Sequence, residues 1–518
     1  MALAKTRSVA LVGVDGYVVD VEAAITSGVP GLHLVGLPDA ALSEARDRVR
    51  AAILNSGEEW PRRHITVSLS PASLPKRGSS FDLAIAVSVL GAAEAVSPAL
   101  CAGLVLIGEL GLDGRVRAVP GVLPSILGAA DAGFTRVVVP KANGDEAALV
   151  PGVQVIPVGT LRALMAYLRD EPPPIEEDHE DPPSVSPADP LATRSRSRRG
   201  ILDLCDVRGQ GDARRALEIS AAGGHHLWLS GPPGCGKTML AERLPTLLPP
   251  LEQEAALEVT MIHSVAGTLS PGRPLITEPP FCAPHHTATR AAMVGGGSHR
   301  LLRPGAASLA HHGVLFIDEA PEFALGVLDA LRQPLEDGEL TISRSGATAR
   351  FPARFTLVLA SNPCPCAAAK AVDCGCTPAV RSRYLTRISG PLLDRIDLKL
   401  ELEAATRAEL RYDLEVGEPT EVVAERVVQA RERAAKRLAG TPWRTNSDIP
   451  GPELRRGFAL PTESMWPVDK ALIEGTLSAR GMDRVLRVAW TMADLGGRDA
   501  PADHDVGEAL ELWRGKRS

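Results

Sequence analysis

The octapeptide Gly231-Pro-Pro-Gly-Cys-Gly-Lys-Thr238 constrains this chain most, because it stands between a strand-like run, His226-Leu-Trp-Leu-Ser230, and a helical one, Met239–Leu244. Strand, glycine-rich loop and helix in that order form a phosphate-binding loop. Gly231, Gly234 and Gly236 let backbone N–H groups turn inward around phosphate oxygens, and the positive end of the following helix adds to the same field. Lys237 supplies a point charge to the β- and γ-phosphates, and the Thr238 hydroxyl is a ligand for Mg²⁺. Gly231, Pro232, Pro233, Gly234, Cys235, Gly236, Lys237, Thr238 and Met239 together are the expected ATP cradle.

Two later strands complete the pattern. Gly313-Val-Leu-Phe-Ile-Asp-Glu319 is apolar and ends in two acids, so Asp318 is placed to hold Mg²⁺ and Glu319 to polarise an attacking water. Phe355-Thr-Leu-Val-Leu-Ala-Ser-Asn362 ends in an amide where a γ-phosphate sensor is needed, although Asn362 before Pro363 also suits a turn.

A chain of 518 residues holds about three domains. Between Glu171 and Arg199 lie seven prolines, seven acidic residues and four arginines with almost no large apolar side chain. Such a stretch cannot offset its ordering entropy by burial and reads as a tether. The expected division is residues 1–168, a linker 169–199, an ATPase core 200–400 and a helical lid 401–518. Net charge is −7, from 56 basic and 63 acidic residues, so any polynucleotide contact must be local. The strongest apolar run, Leu83–Ala93, is too short to span a bilayer, and Asp15, Asp20 and Glu22 break the N-terminal apolar stretch. The expectation is a cytoplasmic protein with no membrane partner.

The N-terminal part alternates strand-like runs (Ser8–Val14, Tyr17–Val21, His33–Val35, His64–Ser68, Leu104–Ile107, Arg136–Val139) with helical stretches (Asp39–Asn55, Phe81–Ala95), a compact α+β pattern. The segment 108–121 with Ala132-Gly-Phe-Thr-Arg-Val-Val-Val-Pro-Lys141 resembles the proteolytic domain of Lon-type proteases. That resemblance puts Ser80 at the nucleophile's place, but the family's lysine base has no counterpart in Val122-Leu-Pro-Ser125. A catalytically inactive Lon-protease-like domain is expected, a scaffold open to a protein partner, with Ser80 as a helix cap.

The order of P-loop, Asp-Glu strand and Asn-ending strand resembles the AAA+ ATPases. Asp206-Val-Arg-Gly-Gln-Gly, Ala283-Pro-His-His-Thr287, Val294-Gly-Gly-Gly297, Asn362-Pro-Cys-Pro-Cys366 and Ser389-Gly-Pro-Leu-Leu-Asp-Arg-Ile-Asp397 sharpen it to the YifB/ComM group of magnesium-chelatase-like ATPases. The resemblance implies an α/β P-loop core with a C-terminal helical lid, a homo-hexameric ring with ATP between subunits, Arg395 as an arginine finger and Arg484 as the lid's sensor. A salt bridge from Arg395 to Asp394 or Asp397 is the plainer alternative. Where the family continues with an arginine this chain has Trp490. The implied activity is a motor on single-stranded or branched DNA, helicase or branch migration in recombination or natural transformation; a chelatase-type motor remodelling a protein partner is the alternative.

Glu339–Phe351 reads as a hairpin around Ser345-Gly346 that brings Arg344 and Arg350 forward, and Arg273, Arg290, Arg300 and Arg303 precede it in an insertion from Met261. His285-His286 and His311-His312 read as loop residues, adjacent side chains pointing in different directions. Cys364, Cys366, Cys374 and Cys376 place four thiols within thirteen residues of the loop 362–381, enough to close a tetrahedral Zn²⁺ site; a disulfide or inert thiols are the other readings. The expected cofactors are ATP, Mg²⁺ and a structural Zn²⁺.

Overall fold

The computed structural model describes residues 2–36, 39–74, 76, 78–174, 202–270, 272–297, 302–344, 347–368, 373–405, 411 and 417–517. Residues 175–201, which take in most of the linker, and Arg300 lie outside the described residues.

Strands β1 (Ala2–Val12) and β2 (Asp15–Thr26) form a long antiparallel hairpin in register from Ala2↔Ile25 to Val12↔Asp15. They centre a mixed seven-stranded sheet with β3 (Gly31–Val35), β4 (His64–Ser70), β5 (Val105–Leu106), β8 (Arg136–Pro140) and β9 (Gln154–Val158), in the order β3-β4-β2-β1-β5-β8-β9. Strands β6 (Glu109–Leu110) and β7 (Val116–Arg117) pair as a separate ribbon. The helix Asp82–Ala92 is buried along its whole length, as its Leu-Ala-Ile-Ala-Val sequence requires. Its N-cap is Phe81 and no side chain caps it, so Ser80 is not the expected cap. Asp82 opens that helix beside Arg48, 2.8 Å away; burial nevertheless raises its carboxyl to about 6.

The second unit is built on a parallel sheet ordered β11-β12-β15-β10-β16-β17, from β10 (Leu227–Ser230), β11 (Phe281–Cys282), β12 (Val314–Ile317), β15 (Thr356–Ser361), β16 (Leu398–Glu401) and β17 (Lys516–Arg517). Near-continuous apolar runs such as Val-Leu-Phe-Ile in β12 suit a sheet covered on both faces. The expected hairpin is present as β13 (Glu339–Arg344) and β14 (Ala347–Pro352).

After residue 400 the chain is mainly helical, with Thr420–Arg437, Ala479–Leu495 and Asp503–Arg514 as its main helices. It shares the sheet's core and carries a smaller cluster of its own, Leu438, Ile449, Leu454, Leu486 and Trp490. Val427, Val485, Val488 and Val506 share one apolar cluster with Leu227, Leu229 and Leu398 of the sheet, and β17 returns to pair beside β16. The N-terminal unit is likewise docked: Leu257 and Met261 of the helix Gln253–Ala266 pack against its Val122, Leu123 and Ile126. Among the described residues no helix is long and apolar enough to cross a membrane.

Burial holds His226, His263 and His311 neutral, each lowered from 6.5 to about 4. The unfolded chain takes up these protons first as pH falls, so folding stability is lost between about pH 6.5 and 4. Thermal melts across that window should show the midpoint of the ATPase unit falling steeply with acid, and a flat profile contradicts the assignment.

Candidate active site

Strands β12, β15 and β10 are neighbours in register, with Ser230 opposite Ser361 and Ile317 opposite Leu359. Their carboxyl ends therefore share one edge of the sheet, where open α/β folds bind ligands. The phosphate loop leaves β10, Asp318 and Glu319 leave β12, and Asn362 leaves β15.

Gly234 and Gly236 have φ of +79° and +94°, the left-handed conformation that only glycine adopts cheaply, and they lead into the helix Lys237–Leu247. The Lys237 ammonium donates to the carbonyls of Gly231 (2.6 Å) and Pro232 (2.9 Å) and to Asn362 Oδ1 (3.2 Å). The Thr238 hydroxyl donates to Asp318 Oδ2 at 3.1 Å. Lys237, Thr238, Asp318 and Asn362 are thus brought together from three strands. A cation held among carbonyl and amide oxygens, a left-handed glycine loop and a hydroxyl–carboxylate pair fit a nucleotide triphosphate with its Mg²⁺.

Glu319 sits in the left-handed region, φ +49°, its N–H bonded to Asp318 Oδ1 at 2.9 Å. Its carboxylate lies 3.1 Å from His286 Nδ1. His286 was not foreseen as a site residue. It follows β11, the edge strand beside β12, and a polar doublet just past the end of an apolar strand is the available signal.

Arg395 is buried and its guanidinium is bonded to Glu336 and to the carbonyl of Pro391, so its partner is neither Asp394 nor Asp397. Arg484 donates to Asp397 Oδ1 at 2.6 Å, at the junction of lid and sheet. One turn earlier on the same helix Arg480 is exposed, near enough for its charge, with those of Arg332 and Arg484, to lower the Arg395 pKa further after burial has done so. Trp490 is buried, donates its indole N–H to the Phe458 carbonyl at 3.2 Å and carries the Arg437 guanidinium 4.5 Å over its ring.

The histidine doublets depart from expectation. His311 and His312 both reach Glu258, at 3.2 and 2.9 Å, because the left-handed turn at His312, φ +55°, swings its ring back beside its neighbour's. A backbone N–H, that of Arg354, donates to His311 Nδ1 at 3.0 Å, so neutral His311 carries its proton on Nε2 and has no lone pair there for a metal. The trio is a hydrogen-bonded clamp that pulls the Glu258 carboxyl below its usual range.

The four cysteines do converge. Cys364 Sγ lies 3.0 Å from Cys366 Sγ and 3.4 Å from Cys374 Sγ, and all four sulfurs lie within 4.8 Å of one another. A tetrahedral tetrathiolate with ~2.3 Å zinc–sulfur bonds has sulfurs ~3.8 Å apart, so the donor set fits. The backbone N–H of Cys376 chiefly draws the Cys374 thiol down to about 7.

In the N-terminal unit, Ser79 bonds to Glu109, and the buried Lys76 ammonium bonds to the carbonyls of Pro71 and Leu74. Of the hairpin and insertion arginines, Arg273, Arg290, Arg303 and Arg350 are exposed; the Arg344 side chain lies outside the described residues.

These features define a P-loop ATPase of the AAA+ class, with ATP and Mg²⁺ its expected ligands. A model of magnesium chelatase, subunit ChlI, matches residues 203–410, a second model of subunit ChlI of Mg-chelatase matches residues 21–143, and one of the subunit's C-terminal part matches residues 417–513. The chain is 42% identical to the YifB protein of Escherichia coli, covering 98% of this chain and 97% of that one, and 39% identical to the competence protein ComM of Haemophilus influenzae, covering 98% and 97%. It belongs to the YifB/ComM family of magnesium-chelatase-like AAA+ proteins. A segment of 157 residues, 29% of this chain and 19% of the other, is 27% identical to the Lon protease of Rhizobium meliloti.

Two arginine substitutions separate the lid's roles. Arg484→Ala leaves the buried Asp397 without its main partner and should cost about 3 kcal/mol of stability by denaturant titration. Arg480→Ala, at an exposed position, should leave stability within about 0.5 kcal/mol. ATP turnover of both variants tests the sensor role that the family resemblance implies for Arg484: loss in folded Arg484→Ala supports it, and loss in Arg480→Ala alone removes it.

Proposed function

We propose that this protein is an ATP-driven homo-hexameric ring motor that acts in the cytoplasm on single-stranded or branched DNA, by helicase action or branch migration during recombination or natural transformation. The observation that carries the ATPase half is the meeting of Lys237, Thr238, Asp318 and Asn362 at one sheet edge. The nucleic-acid half rests on the β13–β14 hairpin with exposed Arg350, on the exposed insertion arginines, and on the kinship with a competence protein.

In this reading Lys237 and the loop N–H groups hold the phosphates, Thr238 and Asp318 hold Mg²⁺, Glu319 orients the attacking water and Asn362 senses the terminal phosphate. Arg395 acts on the neighbouring subunit's nucleotide after exchanging Glu336 for it. In this reading the N-terminal domain has no peptidase role, because Val122-Leu-Pro-Ser125 offers no lysine to take the proton of Ser80. The four-cysteine loop holds a structural Zn²⁺ that ties Asn362, two residues before Cys364, to Thr377, the cap of the helix Pro378–Leu385.

Steady-state ATP hydrolysis with single-stranded, duplex and four-way-junction DNA at fixed low salt tests the reading, with Glu319→Gln as the blank. Several-fold stimulation by single strands or junctions is expected; indifference to all DNA shifts the function to a chelatase-type motor that remodels a protein partner. Glu319→Gln should keep nucleotide binding and lose turnover, whereas Lys237→Ala should lose binding. Atomic emission on the purified chain should find one zinc per subunit, absent from Cys374→Ser/Cys376→Ser; iron in its place, or no metal after growth in zinc-replete medium, refutes the zinc site.

A further inference from the structure

The turn that joins β1 to β2 sits on the hairpin. Gly13 at its apex has φ +71°, and a Cβ there would lie 2.5 Å from the backbone oxygen of Arg350 on β14. Leu11, Val12 and Val14 pack against Val265, Ala349 and Phe351, and Ile342 of β13 joins them. Ala349 and Phe351 are fully buried, while Thr348 and Arg350 between and beside them face solvent, the alternation of a strand with one covered face.

A second contact lies beside the first, on the helix Gln253–Ala266. The N–H of Gly121 donates to the Ser264 carbonyl at 3.0 Å. The Ser264 hydroxyl donates to Glu146, whose other partners are the Leu123 N–H (2.9 Å) and the Asn143 amide (3.1 Å). Ser264 and Glu146 are both buried, so a satisfied polar bridge stands within an apolar seam. Loose domain pairs meet through wetter and more polar surfaces.

The hairpin also connects to the catalytic unit. Its first strand begins two residues after Asp337, which ends the helix Arg332–Asp337, and Glu336 of that helix holds Arg395.

From this continuity we infer that the N-terminal domain is the seat of the β13–β14 hairpin: the two form one mechanical body, and the domain sets the angle at which the hairpin is presented. The domain is then a working part of the motor and not a tethered recruiting module. That the seated hairpin grips polynucleotide rests on the DNA reading above; the seat itself does not.

The test uses the full chain with Gly13→Val, which puts side-chain atoms against Arg350, and separately Val14→Asp, which charges the seam at a residue packed on the hairpin side and on the ATPase cluster. Hydrogen exchange of the amides in 339–344 and 347–352 should rise about tenfold or more in both, with ATP turnover in the absence of DNA within about twofold of the parent and DNA stimulation lost. If Gly13→Val also loosens the β1–β2 amides, Val14→Asp alone decides. Unchanged exchange in the hairpin overturns the seat. Faster exchange with greater DNA stimulation also overturns it, since the domain is then a brake. Faster exchange in a protein whose parent ignores DNA keeps the seat and removes the DNA reading.

Discussion

Asp397 is the carboxylate on which the ATPase unit's architecture turns. It lies just before β16, accepts the N–H of His226 at the start of β10 at 3.1 Å, takes the Arg484 guanidinium from the lid at 2.6 Å and has the His225 ring 3.5 Å away. Burial raises its pKa, but Arg484 and His225 outweigh that and hold it well below the usual carboxylate range. A charge buried this deeply is tolerated only with such partners, so lid, sheet and the strand feeding the phosphate loop are held to one geometry. Around it run further buried bonds: His225 to Thr491 at 2.7 Å, Asn446 to Thr491 and Asp494, and Arg437 to Asp494. These bonds join the lid to the sheet alongside the apolar cluster that the two share.

The same economy governs the site's charges. Each cationic group is held by a specific acceptor: Lys237 by loop carbonyls and Asn362, Arg395 by Glu336, Arg484 by Asp397. His286 stands against Glu319 in the same manner. Strand register decides where Lys237, Asp318 and Asn362 gather, because β10, β12 and β15 end together.

Much of this was legible in the sequence. The strands before Gly231, Asp318 and Asn362 and the hairpin after Glu339 appear where apolar runs and turn residues put them, within a residue or two. The helix Asp39–Asn55 has the expected bounds. β9 went unread because Gln154-Val-Ile-Pro-Val contains a proline and is short, and its place at the sheet edge is what tolerates that proline. The partners of Arg395 and Arg484 went unread for a different reason. Glu336 and Asp397 stand 59 and 87 residues away from them, and local pattern carries no record of such pairings.

The sequence by itself determined the phosphate loop, the acids and amide that serve it, and the crowding of four thiols, because each is a local arrangement set by backbone spacing and residue type. Only the tertiary structure decided that two histidines share Glu258, that a third meets Glu319, that the last strand returns to the ATPase sheet, and that the N-terminal domain sits on the hairpin. Those contacts join segments tens to hundreds of residues apart. They exist because burying apolar faces such as Phe351 and Val14 brings distant chain together, and the polar groups carried along must then find partners among themselves.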